Sequence, residues 1–263
     1  MKKPIKICAA VLLAGIMLFS AYQLISRQAE TAKQEQQFTQ LAALANRTGP
    51  KKSGNAGVTG TSEAPESSTA SAAEQGIDVA ALQEENPDCI AWIEIPDTLI
   101  SYPVMQTKDT PDYYLRTDFY HEYSDHGVPY LDFRCNLADS DNLIIYGHNM
   151  NDGSMFSALH GYMQPDFREE HTVINLYTTD GKAEYEVLAA LPESGTVEQD
   201  GISIFKLTEI ANKTAFDEYV EYIERHRLYD AGIIPSYGDK LISLTTCEYS
   251  QENGRLVVIG RLK

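Results

Sequence analysis

Three residues of this chain could together move an acyl group. An apolar run, Leu241-Ile242-Ser243-Leu244-Thr245-Thr246-Cys247, ends on a thiol, the polar stretch Glu248–Gly254 follows, and a second apolar run opens with Arg255. If the two runs pair as neighbouring strands, the loop closes and Arg255 returns beside Cys247. A nucleophile then stands next to a permanent cation whose N–H groups can meet a developing oxyanion. Of six histidines, His148 is the one just past an apolar run (Asn142–Gly147), where a strand fixes position and a loop leaves access. An imidazole there can help form a thiolate and later protonate a departing amine. A lone Cys, His or Arg in such a place is usually a packing or solvated residue; the three in combination carry the reading.

The elements that must position them follow from patterning. Short β-like runs recur between turn residues at Ala91–Ile95, Tyr102–Gln106, Gly127–Leu131, Leu143–Gly147, Val173–Tyr177, Ala183–Leu191, Leu241–Thr245 and Leu256–Leu262. They predict a mainly β barrel or sandwich. Two helices stand out, one over Asp78–Glu85 and a longer one from Thr214 to about Arg227, with Thr214 and Asp217 as a capping pair. Phe216, Tyr219, Val220 and Ile223 form its apolar stripe.

Charge excludes one class of partner. Lys and Arg total 21 against 38 Asp and Glu, a formal charge of -17, and a nucleic-acid surface needs the opposite sign. Residues 1–76 hold eight basic and five acidic residues, which leaves 13 basic against 33 acidic in 77–263.

The N-terminal third reads differently. Ile7 to Ile25 is an uncharged stretch of 19 residues behind Lys2, Lys3 and Lys6. At about 1.5 Å per residue it spans roughly 28 Å, close to the roughly 30 Å of a bilayer core. It predicts a single-pass cell-membrane anchor over residues 1–27, with everything beyond Arg27 extracellular. A cleavable signal peptide is the competing reading, disfavoured by the length of the run and the lack of a small-x-small exit. Residues 28–46 are Ala, Gln and Glu-rich and predict a helical stalk; residues 47–76 are Gly, Ser, Thr, Ala and Pro with little to bury, a flexible tether. Residues 28–76 thus form stalk and linker, and 77–263 the folded domain.

The motifs resemble those of the sortases, membrane-anchored transpeptidases of Gram-positive bacteria. Ser243-Leu244-Thr245-Thr246-Cys247 with Arg255 is similar to the family's T-L-x-T-C-x(n)-R signature, serine replacing the first threonine, and Ile145-Tyr146-Gly147-His148 to its histidine motif. Asn86-Pro87-Asp88, Ala91-Trp92-Ile93-Glu94-Ile95, Ile100–Gln106, Tyr114-Leu115, Tyr130-Leu131-Asp132-Phe133-Arg134 and Met155-Phe156 resemble class B members, over most of residues 77–263. The resemblance implies an eight-stranded β-barrel with an N-terminal helix and a long helix between strands 6 and 7. It implies that Cys247 attacks a sorting motif of N-P-x-T-N type after its threonine, that Arg255 stabilises the oxyanion, and that His148 protonates the leaving amine. An amine of peptidoglycan or its lipid-linked precursor then takes the acyl group, joining a surface protein to the wall. With ordinary pKa values of about 8.5 for a thiol and about 6.5 for an imidazole, only a minor fraction of molecules would hold thiolate and imidazolium together at neutral pH. By position Leu115 and Thr245 match residues lining the family's substrate groove; Tyr146 flanks the histidine and reads as a third substrate-binding residue, though core packing explains it equally well. Thr110-Pro111 departs from the family pattern, in which an asparagine often precedes the Tyr-Leu pair.

No cofactor and no metal are expected. Asp139, Asp141 and Asp152 lack EF-hand spacing, and Cys89, Cys135 and the histidines lack zinc spacing. Cys89 and Cys135 read as packing residues, with a bridge between them left open. Two other functions fit the residues: a cysteine peptidase that releases its acyl group to water, and a non-catalytic wall-binding module in which Cys247 is structural.

Overall fold

The computed structural model describes residues 3–47, 76–195, 201–250 and 252–263. Eight strands close into a barrel in the order β1–β2–β3–β4–β7–β8–β6–β5. They are β1 (Cys89–Glu94), β2 (Ser101–Met105), β3 (Tyr130–Leu131), β4 (Asn142–Tyr146), β5 (Val173–Thr178), β6 (Gly181–Ser194), β7 (Leu241–Cys247) and β8 (Gly254–Leu262). Closure removes the sheet edges that an open β structure would expose. All eight expected runs are strands of this barrel. The pairs are antiparallel except β2 with β3 and β4 with β7.

Helix α2 (Val79–Glu85) precedes the barrel; the Asp78 carboxylate accepts from Ala81 N–H at 3.1 Å and starts it. A short helix, α3 (Pro165–Glu170), precedes β5. The long helix α4 (Lys213–His226) lies between β6 and β7 in the chain, as expected. Its cap is Asn212, in extended backbone and with its side chain accepting from Ala215 N–H at 3.1 Å, and not Thr214, which lies inside the helix. The α4 stripe Phe216, Tyr219, Tyr222 and Ile223 is buried together with Leu191 of β6, Leu241 of β7 and Val257 and Ile259 of β8. Tyr222 takes the place expected for Val220, which is only half-buried. Alternation along β7 therefore gives Leu241, Ser243, Thr245 and Cys247 the face that α4 partly covers, and Ile242, Leu244 and Thr246 the barrel interior.

Helix α1 spans Lys3–Arg47. The chain divides into two compact units, Met1–Gln40 and Leu41–Lys263. Within the second, Leu41 and Ala45 are buried and the Ala45 carbonyl accepts from Asp78 N–H at 3.0 Å. The expected membrane anchor is not met, because no helix among the described residues is long and apolar enough to cross a membrane. Membrane attachment through this helix, the cell-membrane localisation and the extracellular placement drawn from it are therefore withdrawn. The tether expected over 47–76 falls almost entirely outside the described residues.

Candidate active site

Strand β7 is the spine of the site, with β4 parallel on one side and β8 antiparallel on the other. Cys247, its last residue, is in register with Arg255. Directly opposed residues of an antiparallel pair share a face, with Cβ atoms about 4.5–5.5 Å apart. The hairpin geometry expected from sequence therefore puts Cys247 and Arg255 side by side on one face of the pair. The loop between them is tied shut: Glu248 N–H donates to the Gly254 carbonyl at 2.9 Å, and Asn253 adopts a left-handed turn conformation at φ 53°. Arg255 Nη1 donates to that same Gly254 carbonyl at 2.9 Å. Gly195, just past β6, lies against the same turn; a Cβ there would stand 3.1 Å from the Asn253 carbonyl oxygen and in ordinary contact, 3.5 Å, with Arg255 Cζ. The Cys247 thiol is half-buried and free, whereas Cys89 and Cys135 are free and buried, so no bridge joins them. Burial pushes the Cys89 thiol up to about 12.

His148 reaches this edge through β4. Tyr146 is in register with Thr245, and beyond it Gly147 N–H donates to the Thr245 carbonyl at 3.0 Å while Thr246 Oγ1 donates to the Gly147 carbonyl at 2.8 Å. On the far side of His148, Asn149 Nδ2 donates to the Cys247 carbonyl at 3.2 Å. His148 is thus flanked by two residues bonded to the last turns of β7. Its Nε2 lies 2.8 Å from the Leu115 carbonyl. A carbonyl only accepts, so Nε2 carries the hydrogen and Nδ1 is the nitrogen left for a reacting group. Burial lowers the pKa of this imidazole; the Leu115 carbonyl opposes the shift and the Arg116 charge adds to it.

A groove of about 480 Å³ opens at this edge, and Cys247, Arg255, Leu115, Tyr146 and Thr245 line it together with Ser203 and Phe205 of the β6–β7 connection. The three expected groove residues thus stand beside the thiol and guanidinium. His148 is not among the lining residues; it bonds to the carbonyl of the lining residue Leu115, and its neighbour Asn149 bonds to the Cys247 carbonyl. Thr245 Oγ1 is buried and has no hydrogen-bond partner among the described residues. Behind Tyr146 lies a polar wall: its hydroxyl donates to Asp132 at 3.1 Å, and Asp132 takes a two-pronged bond from Arg134 at 2.7 and 2.8 Å. Those Arg134 bonds, opposed by burial, hold the Asp132 carboxyl below the usual carboxylate range.

Sequence reasoning did not identify Asn149 or Gly195. Asn149 follows the histidine directly, yet its value lies in a contact across 98 positions of chain, which local patterning does not register. Among the described residues no group of three or more His, Cys, Asp or Glu could hold a metal ion.

The family model described as a sortase domain matches residues 93–263. Sortase B of Listeria monocytogenes is 36% identical over 185 residues, covering 69% of this chain and 72% of the relative. Sortase B of Staphylococcus aureus is 30% identical over 184 residues, with the same coverages. Among solved structures, a Staphylococcus aureus sortase B-substrate complex superposes with a TM-score of 0.64 at 28% identity, covering 71% of this chain and 84% of that one. A cysteine-to-serine mutant form of Clostridium perfringens sortase B gives 0.70 at 26% identity, covering 87% and 98%.

Proposed function

The chain belongs to the sortase family, as a class B cysteine transpeptidase that anchors proteins to the cell wall, and from that premise we propose that Cys247, His148 and Arg255 carry the transfer. The observation behind this reading is the register of Cys247 with Arg255 at the rim of the groove, with His148 held between two residues bonded to β7. Residues 77–263 are the catalytic domain in this reading.

The Cys247 thiolate attacks the carbonyl carbon of a sorting-motif threonine, in a motif of N-P-x-T-N type. The C–S bond forms, the carbonyl electrons move onto oxygen, and the Arg255 guanidinium meets that oxyanion. Glu248 N–H, the nearest backbone donor in sequence, is already spent on the Gly254 carbonyl. As the tetrahedral species collapses the C–N bond breaks, and protonated His148 delivers its Nδ1 proton to the departing amine. A thioester remains on Cys247. Neutral His148 then takes a proton from an incoming wall-peptide amine, which displaces the sulfur, restoring thiolate and imidazolium. Leu115, Tyr146 and Thr245 line the path of the sorting peptide. The bare hydroxyl of Thr245 supports that role, since a buried unpaired group is costly until a ligand meets it. One of the similar solved structures is a sortase B complexed with triglycine, a peptide amine of the kind the second step uses.

The test is mass spectrometry of the protein after incubation with a library of sorting-motif peptides, with and without an amine acceptor. A thioester on Cys247 that converts to an amide product with acceptor supports the reading. Absence of the adduct in wild type, or its persistence in Cys247→Ala, would overturn it.

A further inference from the structure

A second histidine lies close to this site and takes no part in the steps above. His126 is 5% exposed, and its Nε2 lies 2.9 Å from Asp152 Oδ2. Its Nδ1 is buried with no hydrogen-bond partner among the described residues. An unpartnered buried nitrogen is tolerated more readily as a bare acceptor than as a second N–H, so Nε2–H donates to the carboxylate.

The two partners stand on the two segments that hold His148. Asp152 organises the loop after His148: its Oδ1 accepts from Ser154 N–H at 3.0 Å and from Ser154 Oγ at 2.6 Å. His126 precedes Gly127, whose backbone is pressed against the turn Tyr113–Leu115. A Cβ on Gly127 would stand 2.7 Å from the Leu115 carbonyl oxygen, and φ there is +57°. Val128 N–H donates to the Tyr114 carbonyl at 3.0 Å. The Leu115 carbonyl is the acceptor of the His148 Nε2–H bond. A ring of contacts therefore runs from His148 to Leu115, through Gly127 to His126, across to Asp152, and back along the chain to His148.

We propose that His126 and Asp152 are a positioning pair that locks the His148 loop against the Leu115 carbonyl and so keeps Nδ1 aimed at the reacting nitrogen. This rests on the reading of His148 as the proton carrier. The pair touches no reacting atom; it acts by closing the ring. Small misplacement of a catalytic group is expensive, with about 1 Å costing on the order of a hundredfold.

The test uses the full chain with a sorting-motif peptide and an amine acceptor, rates being expressed per Cys247 titrated by a thiol-reactive probe, which removes any unfolded fraction. Asp152→Ala is expected to lower kcat on the order of tenfold with KM within about twofold, and to shift or broaden the His148 Nε2–H proton resonance. Asp152→Asn should lose less of kcat than Asp152→Ala, since its side-chain oxygen can still accept from His126 Nε2–H and keep the loop tied to it, at the expense of the Ser154 N–H bond. The double variant His126→Ala/Asp152→Ala should be no slower than Asp152→Ala alone. A wild-type kcat per titrated thiol in Asp152→Ala, equal losses in Asp152→Asn and Asp152→Ala, or additive losses in the double variant would each overturn the pair. Failure of the underlying reading is separate: His148→Ala would then keep its activity.

Discussion

One bond fixes the tautomer of His148, and burial works against its charge. Because the pKa is lowered first by burial and then by the Arg116 cation, an NMR titration of the free protein should place the imidazole below the ordinary value of about 6.5. Arg116→Gln should move the midpoint upward at low salt and by less at high salt, since Arg116 is half exposed; a midpoint unmoved at either salt would remove its charge from the account. The same shift bears on stability. Between the folded midpoint and about pH 6.5 the unfolded chain binds more protons, so this group's contribution is complete above about 6.5 and is lost as pH falls through the folded value. Thr245 gives a sharper residue-level expectation. Its buried hydroxyl has no partner among the described residues, so Thr245→Val keeps the shape and removes an unpaired polar atom. Thermal stability should hold or rise, while KM for the sorting peptide rises several-fold. An unchanged KM would mean that the hydroxyl meets nothing in the substrate.

Gly147 shows how an element delivers a side chain. Both its backbone groups bond to β7, and a Cβ there would lie 2.6 Å from the Phe156 ring. Gly147→Ala must therefore push the ring or the strand exit, at a cost of about 1–3 kcal/mol. It should lower the melting temperature and slow Cys247 acylation together; a fall in stability with wild-type acylation would show that the exit can shift without moving His148. The eight strands were legible because period-two runs and turn residues are local features, and the Cys247–Arg255 pairing was legible because a short loop leaves few registers. The β4–β7 pairing was not derivable from patterning, since parallel strands are joined by about a hundred intervening residues here and nothing local sets their register. His148 was legible instead from its place just past an apolar run, and from the resemblance of Ile145-Tyr146-Gly147-His148 to a known motif. The α4 cap was misplaced because Asn212 and Thr214, two positions apart, are both good cap residues, and the helix starts one residue earlier, at Lys213. Asn212→Ala should cost about 1 kcal/mol in a thermal or urea melt.

On the scale of the whole molecule the charge is lopsided, with 13 basic and 33 acidic residues in 77–263. Such a field cannot set the fold, but it acts on whatever approaches. The two fates of the thioester differ in this respect. Water is neutral and feels no long-range field, whereas a wall-peptide amine arrives as an ammonium and must give up its proton at the site. An acidic body concentrates cations near it, and that attraction reaches about 10 Å at 0.1 M salt but only about 3 Å at 1 M. Raising ionic strength with an inert salt should therefore slow aminolysis of the Cys247 thioester and leave its hydrolysis nearly constant, so the ratio of amide to acid product falls. A zwitterionic acceptor whose carboxylate offsets the ammonium should show a shallower fall than a singly charged amine of similar size. If both acceptors keep a constant product ratio from low to high salt, the acidic surface plays no part in acceptor capture, and the groove alone decides which nucleophile reaches the acyl carbon.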